Sequence, residues 1–434
     1  MKRGFYTIMS AQFFSSLADN ALFVTAVELL RTGGAPEWQR AALVPMFALF
    51  YVVLAPFVGA FADALPKGKV MFISNAIKVV GCLMMLFGSH PLIAYAVVGL
   101  GAAAYSPAKY GILTELLPAS QLVKANGWIE GLTIASIILG VLLGGQLVGV
   151  TISTALLSID LPFVDTGIDS APQAAIAALI LVYVIAAWFN TRIPHTGVEM
   201  RPMRHDPERS VLSNALALVP DFWICNRRLW NDRLGQISLS TTTLFWGVSG
   251  NLRYIVLAWA AAALSYSTTQ ASALVGVVAI GTAVGAVVAS MRMRLDMATR
   301  VMPLGIAMGL LVILMNFISN VWVAVPFLIL LGGLGGFLVV PMNALLQHRG
   351  HNLMGAGRSI AVQNFNEQAC ILGLGAFYSL STKFGLSAFG AITAFGVVVA
   401  GIMWIIQRWH AHNCVHHREE VEHLLQIARH DTHH

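Results

Sequence analysis

The stretch Val321–Leu346 reads VWVAVPFLILLGGLGGFLVVPMNALL and contains no charged residue. A helix needs about 20 mostly apolar residues to cross the hydrocarbon core of a bilayer, so this stretch is long enough to span a membrane. Of the 434 residues, 57% are hydrophobic and 11% are charged, whereas a soluble domain typically carries about 25% charged residues. The bilayer is therefore the expected solvent for most of the chain, and a soluble fold is excluded.

The remainder of the chain repeats this pattern. Twelve stretches are predicted to span the membrane: 5–31, 41–64, 70–88, 91–116, 120–150, 172–192, 236–264, 269–290, 300–319, 321–346, 354–383 and 385–408. Glycine, proline and charged residues separate them. The long, basic and polar stretch 193–235 divides them into six and six, which favours two homologous bundles. The predicted fold is an all-α membrane protein of twelve transmembrane helices in two six-helix bundles.

Four segments follow from this division. An N-terminal bundle is predicted for residues 1–192, a central loop for 193–235, a C-terminal bundle for 236–408 and a histidine-rich tail for 409–434. Within the loop, Val211–Trp223 has an amphipathic pattern and is expected to lie along the membrane surface. The tail holds eight of the thirteen histidines. We interpret it as a solvated helix with pH-sensitive charge, with a metal site or an expression remnant as alternatives.

Lysine and arginine are distributed unequally between the two sides of the membrane. Segments on the side of the two termini hold twenty of them, whereas the opposite side holds Arg31, Arg40 and Lys383. Cytoplasmic loops of membrane proteins carry an excess of Lys and Arg. Both termini and the central loop are therefore predicted to be cytoplasmic.

Among the charged residues inside predicted spans, six are candidates for ion pairs or a binding site within the membrane. A charge at the centre of a spanning helix costs about 2.5–3.5 kcal/mol on insertion scales, so each needs a partner, a water-filled cavity or a function. At about 1.5 Å per residue, Asp19 and Arg253 lie at nearly the same depth in the first and seventh spans, the first helices of the two repeats. We hypothesise that they line a central cavity and bind a polar substrate group. The alternative is that salt bridges between charged residues hold the bundles together.

The other four charges lie closer to the cytoplasmic side or the midplane; they are Lys78, Lys109, Glu130 and Glu367. Glu130 follows Asn126 by four residues, and Glu367 follows Gln363 by four residues in the corresponding span of the second half. This weak repeat agrees with two related bundles, although chance is an open alternative. Lys78 either takes part in the cavity or extends to the membrane interface.

The fourth span contains Ser106-Pro107-Ala108-Lys109-Tyr110-Gly111. Proline removes a backbone donor, so Pro107 is predicted to break this span and to free carbonyls that need a cavity or a neighbouring helix. A lysine at such a break suits an anion or a phosphate. A gating kink with a snorkelling Lys109 is the alternative.

Three other patterns in the sequence do not indicate a functional site. The run Gly99–Ala104 fits a dinucleotide fingerprint but lies inside a spanning helix, without the strand and the acidic residue that the fingerprint needs. Pairs of glycines four residues apart, such as Gly281 with Gly285 and Gly332 with Gly336, predict close helix packing. The four cysteines are scattered and predict neither disulfides nor a metal centre. No cofactor is expected.

After the second span, residues 59–69 read GAFADALPKGK. This segment resembles the loop motif of the major facilitator superfamily, in which glycine, aspartate and basic residues recur. It departs from the common form because Ala64 follows Asp63. Gly59, Asp63, Lys67 and Lys69, together with Pro107, are therefore candidate gating residues.

Longer strings make the resemblance more specific. They are ADNAL (18–22), APFVG (55–59), GAAAYSPAKYG (101–111), LVKANG (122–127), LFWG (244–247) and VPMNALLQ (340–347). Together they resemble the bacterial lysophospholipid transporter family of the major facilitator superfamily, from the first span to the twelfth. The resemblance implies the major facilitator fold and a transporter rather than an enzyme.

The resemblance also implies a substrate. Members of this family carry lysophosphatidylethanolamine or lysophosphatidylglycerol from the outer to the inner leaflet of the inner membrane, where an acyltransferase/acyl-carrier-protein synthetase restores the second chain. Family contacts to the polar substrate group fall on Asp19, Lys109 and Arg253. The full set of candidate substrate-binding residues is Asp19, Asn20, Lys109, Tyr110, Glu130, Arg253 and Glu367. Membrane lipids are expected partners, nucleic acid is not, and a monomer is expected.

Two other functions stay open. A facilitator for a soluble solute or drug, coupled to protons through Asp19 or Glu130, would lose transport when the pH gradient is collapsed. A lipid carrier whose substrate gradient is kept steep by reacylation would not. A membrane-embedded lipid enzyme is the second alternative, but the sequence has no convergent nucleophile, metal ligand set or His/Asp pair to support it.

Overall fold

The computed structural model describes residues 3–116, 119–200, 206–354 and 356–431, and within them the regular secondary structure is helical. The helices are α1 (Arg3–Thr32), α2 (Glu37–Val53), α3 (Ala55–Ala64), α4 (Lys67–Leu86), α5 (Pro91–Leu116), α6 (Ala119–Leu147), α7 (Val150–Leu157), α8 (Ala171–Thr191), α9 (Val211–Leu216), α10 (Leu218–Asn231), α11 (Gly235–Ala263), α12 (Thr268–Arg292), α13 (Pro303–Leu314), α14 (Val321–Met354), α15 (Ala356–Lys383), α16 (Ala388–His416) and α17 (Arg418–Asp431). Two 3-10 helices, Leu295–Val301 and Met315–Phe317, flank α13.

Each of the twelve predicted spans coincides with one helix or one bent pair of helices, and α9, α10 and α17 lie outside the spans. Eight segments of the described chain are long and apolar enough to cross a membrane, and the bent pairs α2 with α3 and α6 with α7, each at 65°, raise the number to ten. The remaining two spans are α11 and α15, which are long enough but rich in Ser, Thr, Asn and Gln. Most residues of α11 are buried within the protein, which explains how a polar helix is tolerated there.

The helices form two compact units. The first comprises Met1–Leu218 and Tyr266–Gly276, and the second comprises Val219–Ser265 and Val277–His434. The predicted segment boundaries at residues 192, 235 and 408 stay predictions.

In the first unit, α1 packs against α6 and α8, and α4 packs against α5 and α8. The start of α12 belongs to this unit. Thr268 donates a hydrogen bond to the carboxylate of Glu28, and Thr269 donates one to the carbonyl of Gly145 at 2.7 Å. Glu28 also accepts from Arg31 at 2.9 Å. These bonds attach the beginning of α12 to α1 and α6.

In the second unit, α11 packs against α14, α15 and α16, and α13 packs against α16. The amphipathic segment of the central loop forms α9 and the first part of α10. Cys225 and Leu229 of α10 pack in one cluster with Leu239, Leu346 and Val362. Phe222, near the end of the amphipathic segment, packs against this cluster, while the hypothesised position of the segment along the membrane surface stays a prediction.

A buried ion pair joins α14 to the residues just before α11. Arg349 donates two hydrogen bonds to Asp232, at 2.6 and 3.0 Å, and Asp232 also accepts from the backbone N–H of Gly235 at 2.7 Å. The side chains of Arg349 and Asp232 are only 6% and 9% exposed. Both charged groups are shielded from water, so each needs the other to offset the free energy of its lost hydration.

We expect Arg349→Leu to lower the free energy of unfolding by about 3–5 kcal/mol, because it leaves the Asp232 carboxylate buried without its cation. Thermal unfolding of the purified chain in detergent measures the effect. Arg418→Leu is the control, because Arg418 and its partner Glu422 are both exposed and exposed pairs contribute little. An Arg349 variant as stable as this control contradicts the prediction.

The tail helix α17 belongs to the second unit and contacts other parts of that unit through charged residues. Arg429 pairs with Asp296 at 3.1 Å, and Glu420 pairs with Arg233 at 3.5 Å. Within the described residues, no group of His, Cys, Asp and Glu side chains has the arrangement of a metal site.

Candidate functional site

The most extensive polar cluster of the first unit surrounds Asp19, at the middle of α1. The carboxylate of Asp19 accepts a hydrogen bond from the Lys78 ammonium of α4 at 2.8 Å and another from the Tyr183 hydroxyl of α8 at 2.6 Å. The side chain of Asp19 is 20% exposed and that of Lys78 is 2% exposed. Asp19 is therefore the accessible end of the pair, and Lys78 holds it from the buried side.

Neighbouring residues complete the surroundings of Lys78. Its ammonium donates to the Ser15 hydroxyl at 2.9 Å, and that hydroxyl donates to the side-chain oxygen of Asn75 at 2.6 Å. Ser15 and Asp19 are four residues apart on α1, so they share one face of the helix. The rings of Tyr105 and Tyr183 lie 5.1 and 5.7 Å from the ammonium, close enough for cation–π attraction.

Two hydrogen-bond donors near this cluster are buried without a partner among the described residues. They are the hydroxyl of Tyr105 and the side-chain N–H₂ of Asn75. Such groups are uncommon in folded proteins, because each costs the free energy of its lost hydration. The cluster therefore has spare capacity to donate hydrogen bonds to oxygen atoms beside Lys78.

The pairing of Asp19 differs from the partner considered at the sequence level. Asp19 forms its ion pair with Lys78 of the same unit, and its role in binding a polar substrate group stays a prediction. Arg253 lies in α11 of the second unit, half-buried between Leu252 and Tyr254, which are both buried. The hypothesis that Asp19 and Arg253 line one aqueous gap stays a prediction.

Sequence reasoning overlooked Tyr183 entirely and did not assign Lys78 to Asp19. The charge of Lys78 inside a span was a usable signal, because a buried ammonium needs an anion. Tyr183 has no comparable sequence signal, because a tyrosine in an apolar span is usually part of the hydrophobic core. Asn20 follows Asp19 but is buried, and its side chain donates to the carbonyl of Ser16 at 2.8 Å.

The prediction that Pro107 breaks the fourth span is wrong. Helix α5 runs without interruption from Pro91 to Leu116 and contains Pro107. Proline removes one N–H, whose partner would be the carbonyl of Ala103, and the remaining hydrogen bonds of the helix are enough to continue it. Lys109 and Tyr110 are half-buried on this helix, and the Lys109 ammonium lies 4.5 Å from the centre of the Tyr110 ring.

A second polar cluster lies in the other unit around Glu367 of α15. Gln363 donates to the Glu367 carboxylate at 2.8 Å and to the side-chain oxygen of Asn343 at 2.5 Å. Glu367 is 8% exposed, so its charge is held largely out of water. The corresponding Glu130 of α6 has a side chain outside the described residues.

The loop motif is organised around Lys67. Its ammonium lies 3.2 Å from Asp63, 3.2 Å from Glu115 and 2.9 Å from the carbonyl of Ala62. Lys67 is buried, whereas Lys69 is exposed. A side chain added at Gly59 would meet no atom within 4 Å, so close packing does not explain this glycine. The ion pair between Lys67 and Glu115 therefore links the start of α4 to the end of α5.

Comparison with known proteins agrees with these observations. A family model described as the Major Facilitator Superfamily matches residues 8–374. Relatives named lysophospholipid transporter LplT from Yersinia pestis (strain Pestoides F) and Yersinia pseudotuberculosis serotype O:3 (strain YPIII) are each 38% identical over 391 residues. The match covers 89% of this chain and 88% of each relative.

Solved structures resemble the whole fold. A bacterial homologue of the human lysosomal transporter Spinster, in an inward-facing and unoccupied conformation, has a TM-score of 0.61 and 15% identity, and the match covers 99% of this chain and 98% of that one. The nucleoside transporter NupG has a TM-score of 0.65 and 13% identity, with coverage of 94% and 98%. At such identities the likeness concerns the fold alone.

Proposed function

Because the chain belongs to the major facilitator superfamily and, within it, to the family of the lysophospholipid transporters LplT, we propose that it carries lysophospholipids across a bacterial inner membrane. The observation that carries this proposal is the 38% identity that extends over 89% of the chain. The substrates are single-chain phospholipids, with lysophosphatidylethanolamine and lysophosphatidylglycerol as the expected members. The direction is from the outer to the inner leaflet, where an acyltransferase/acyl-carrier-protein synthetase consumes them.

The cluster around Asp19 supports a headgroup-binding role in the first unit. Its carboxylate is partly exposed, and the buried cation behind it reduces the cost of placing an anion at membrane depth. An ethanolamine ammonium can bind the accessible side of this carboxylate by a charge-assisted hydrogen bond. Lysophosphatidylglycerol has no ammonium, and for that substrate Lys78 already supplies the counter-charge that Asp19 needs.

The phosphate of the substrate needs donors. Lys109 in the first unit and Arg253 in the second are the proposed cations, with the hydroxyl of the neighbouring Tyr110 as a further donor. Glu367 is a carboxylate and is proposed to contact the substrate elsewhere on its polar group. Glu130 keeps its proposed role from the sequence. The acyl chain would rest against apolar wall or extend into the bilayer, so transport by alternating access with sideways opening avoids exposing it to water.

Topology and assembly complete the proposal. The excess of Lys and Arg on one side supports cytoplasmic termini and a cytoplasmic central loop. The charged network of Asp63, Lys67 and Glu115 would lie at this cytoplasmic end and act as a gating element, with Gly59 and Lys69 beside it. We propose that the chain acts as a monomer.

Uptake into proteoliposomes tests the function. Vesicles that contain the purified chain are given labelled lysophosphatidylethanolamine, lysophosphatidylglycerol or a soluble sugar, with and without a pH gradient. We expect both lysolipids to be carried, the sugar to be excluded, and the lysolipid rate to be unchanged when the gradient is collapsed. Absence of lysolipid transport refutes the function, and sugar uptake that depends on the gradient favours the proton-coupled alternative.

A further inference from the structure

Helix α7 turns away from the spanning helix α6 at the end that the sequence places opposite to the cytoplasm. The two helices meet at an angle of 65°. A spanning helix is tilted by about 20° from the membrane normal on average, so α7 lies closer to the plane of the membrane than to its normal. It packs against α8 and α6 of the same unit, and among its eight residues, all of them described, Ser153 alone is buried. Most of the surface of α7 is therefore uncovered.

Large apolar side chains are exposed along α7 and the residues that follow it. Val150 and Ile159 are 83% and 67% exposed, and Phe163 is completely exposed. Leu161 and Val164 are more than half exposed as well. Exposed apolar surfaces of this kind mark contacts with a membrane or with another protein. We call residues 150–164 the α7 segment.

Phe163 adopts a backbone conformation that is unfavourable for its residue type. The N–H of Val164 donates to the carbonyl of Leu161 at 3.3 Å, which closes a turn with Pro162 and Phe163 at its two central positions. The φ of Phe163 is +71°, in the left-handed region that favours glycine and is strained for an aromatic residue. Because its side chain is completely exposed, packing within the chain does not offset this cost. A contact outside the chain is therefore the expected compensation.

The hydroxyl groups at the end of α7 are already satisfied within the segment. The hydroxyl of Thr154 donates to the carbonyl of Val150 at 2.6 Å, and that of Ser158 donates to the carbonyl of Ala155 at 2.6 Å. A hydroxyl that has such a bond loses less free energy when it leaves water. The α7 segment can therefore enter an apolar environment at a lower cost than its composition suggests.

Position and charge favour the bilayer as the contact. The α7 segment lies between two spanning helices, α6, which ends at Leu147, and α8, which begins at Ala171, so both of its connections lead back into the membrane. Asp160 is its only charged residue, and the sequence contains neither lysine nor arginine between Lys124 and Arg192. The segment therefore has no basic group for anionic lipid, and burial of apolar surface is the driving force.

We propose that the α7 segment lies in the interfacial layer of the bilayer, on the side opposite to the termini, with the Phe163 ring inserted among the acyl chains. The partner of this surface is the lipid of the outer leaflet, whatever the charge of its headgroup. The apolar side chains then leave water, which offsets the cost of the strained turn. Asp160 and Asp165, on either side of the turn, stay at the level of the headgroups, where they are hydrated.

Spin labels report whether the segment is in lipid, in water or covered by protein. The full chain carries Cys370→Ala and Cys414→Ala, which remove the two thiols that are not buried, and one label is attached at Phe163→Cys or at the control Thr166→Cys. Thr166 is exposed in the same loop. In reconstituted vesicles, oxygen collides mainly with labels in the bilayer, and a water-soluble nickel complex collides mainly with labels in water. We expect oxygen to dominate at residue 163 and nickel at residue 166.

Three other outcomes overturn the proposal. Dominance of the nickel complex at residue 163 shows that the turn is in water. Weak collisions with both reagents show that protein covers it, as a second copy of the chain would. Insertion that occurs in vesicles containing phosphatidylglycerol, but not in phosphatidylcholine alone, overturns a contact driven by apolar burial.

Phe163→Gly separates a membrane anchor from a packing residue. Glycine adopts the observed φ without strain, so this variant should unfold in detergent at the parent's temperature or above. With the label at Ile159→Cys, the same replacement should shift the label towards water, because the equilibrium for insertion falls by roughly tenfold or more when one buried phenylalanine side chain is lost. A label at residue 159 that stays in the bilayer, or a variant that is much less stable in detergent, overturns the role of Phe163.

Discussion

Replacing Asp19 by asparagine should lower lysolipid transport by roughly tenfold to 150-fold, the loss expected for a hydrogen bond to a charged group. The same change should destabilise the protein by about 3–5 kcal/mol, because it leaves the Lys78 ammonium buried without its anion. Adding Lys78→Met to Asp19→Asn removes both charges. We expect the double variant to recover most of the stability and none of the transport.

The double variant separates a substrate contact from a structural ion pair. The matched control is the pair of Arg349 and Asp232, in which both side chains are buried and which is assigned no contact with substrate. There, Arg349→Met with Asp232→Asn should restore both stability and transport. Transport that also returns in the Asp19 and Lys78 double variant would show that this pair only holds α1 to α4. Uptake in vesicles and thermal unfolding of the same preparations give both measurements.

A second large effect is expected where α12 and α14 cross in the second unit. A Cβ atom added at Gly285 would lie 2.1 Å from the carbonyl oxygen of Gly333, and one at Gly336 would lie 2.2 Å from that of Thr282. These neighbours are backbone atoms of a helix, so they cannot rotate away. Gly285→Ala and Gly336→Ala should each destabilise by about 1–3 kcal/mol or more, the cost of overpacking.

Gly401→Ala in α16 is the control for this crossing. No atom lies within 4 Å of the position its Cβ would occupy, and alanine is the better helix former. This variant should unfold at the parent's temperature or above it. If Gly285→Ala and Gly336→Ala behave as the control does, the two helices do not depend on glycine for their approach.

The positions of the spans were predictable because hydropathy is a local property of the chain. The predicted span 172–192 and helix α8 (Ala171–Thr191) agree to within one residue at each end, since an apolar run of that length has no alternative but to cross or to be buried. The glycine pairs of α12 and α14 were also interpreted correctly, because a spacing of four residues puts them on one face of a helix. The family resemblance rested on strings of contiguous residues, which can be recognised without knowledge of the fold.

Partners were not predictable in the same way. Lys78 is 59 residues from Asp19 in the chain and Tyr183 is 164 residues from it, and they meet only because α1, α4 and α8 pack against one another. The continuity of α5 through Pro107 was not predicted either, because local preference disfavours proline inside a helix even where the remaining hydrogen bonds are enough to continue it.

The sequence by itself therefore determined which stretches of the chain form spanning helices and which family it joins. The tertiary structure alone decided that Asp19 is paired with a buried lysine and that Arg349 is paired with Asp232. The physical reason is that apolar length and charge are carried by each segment independently. Which side chains meet depends on the rotation and packing of whole helices, and that information is spread over residues far apart in the chain.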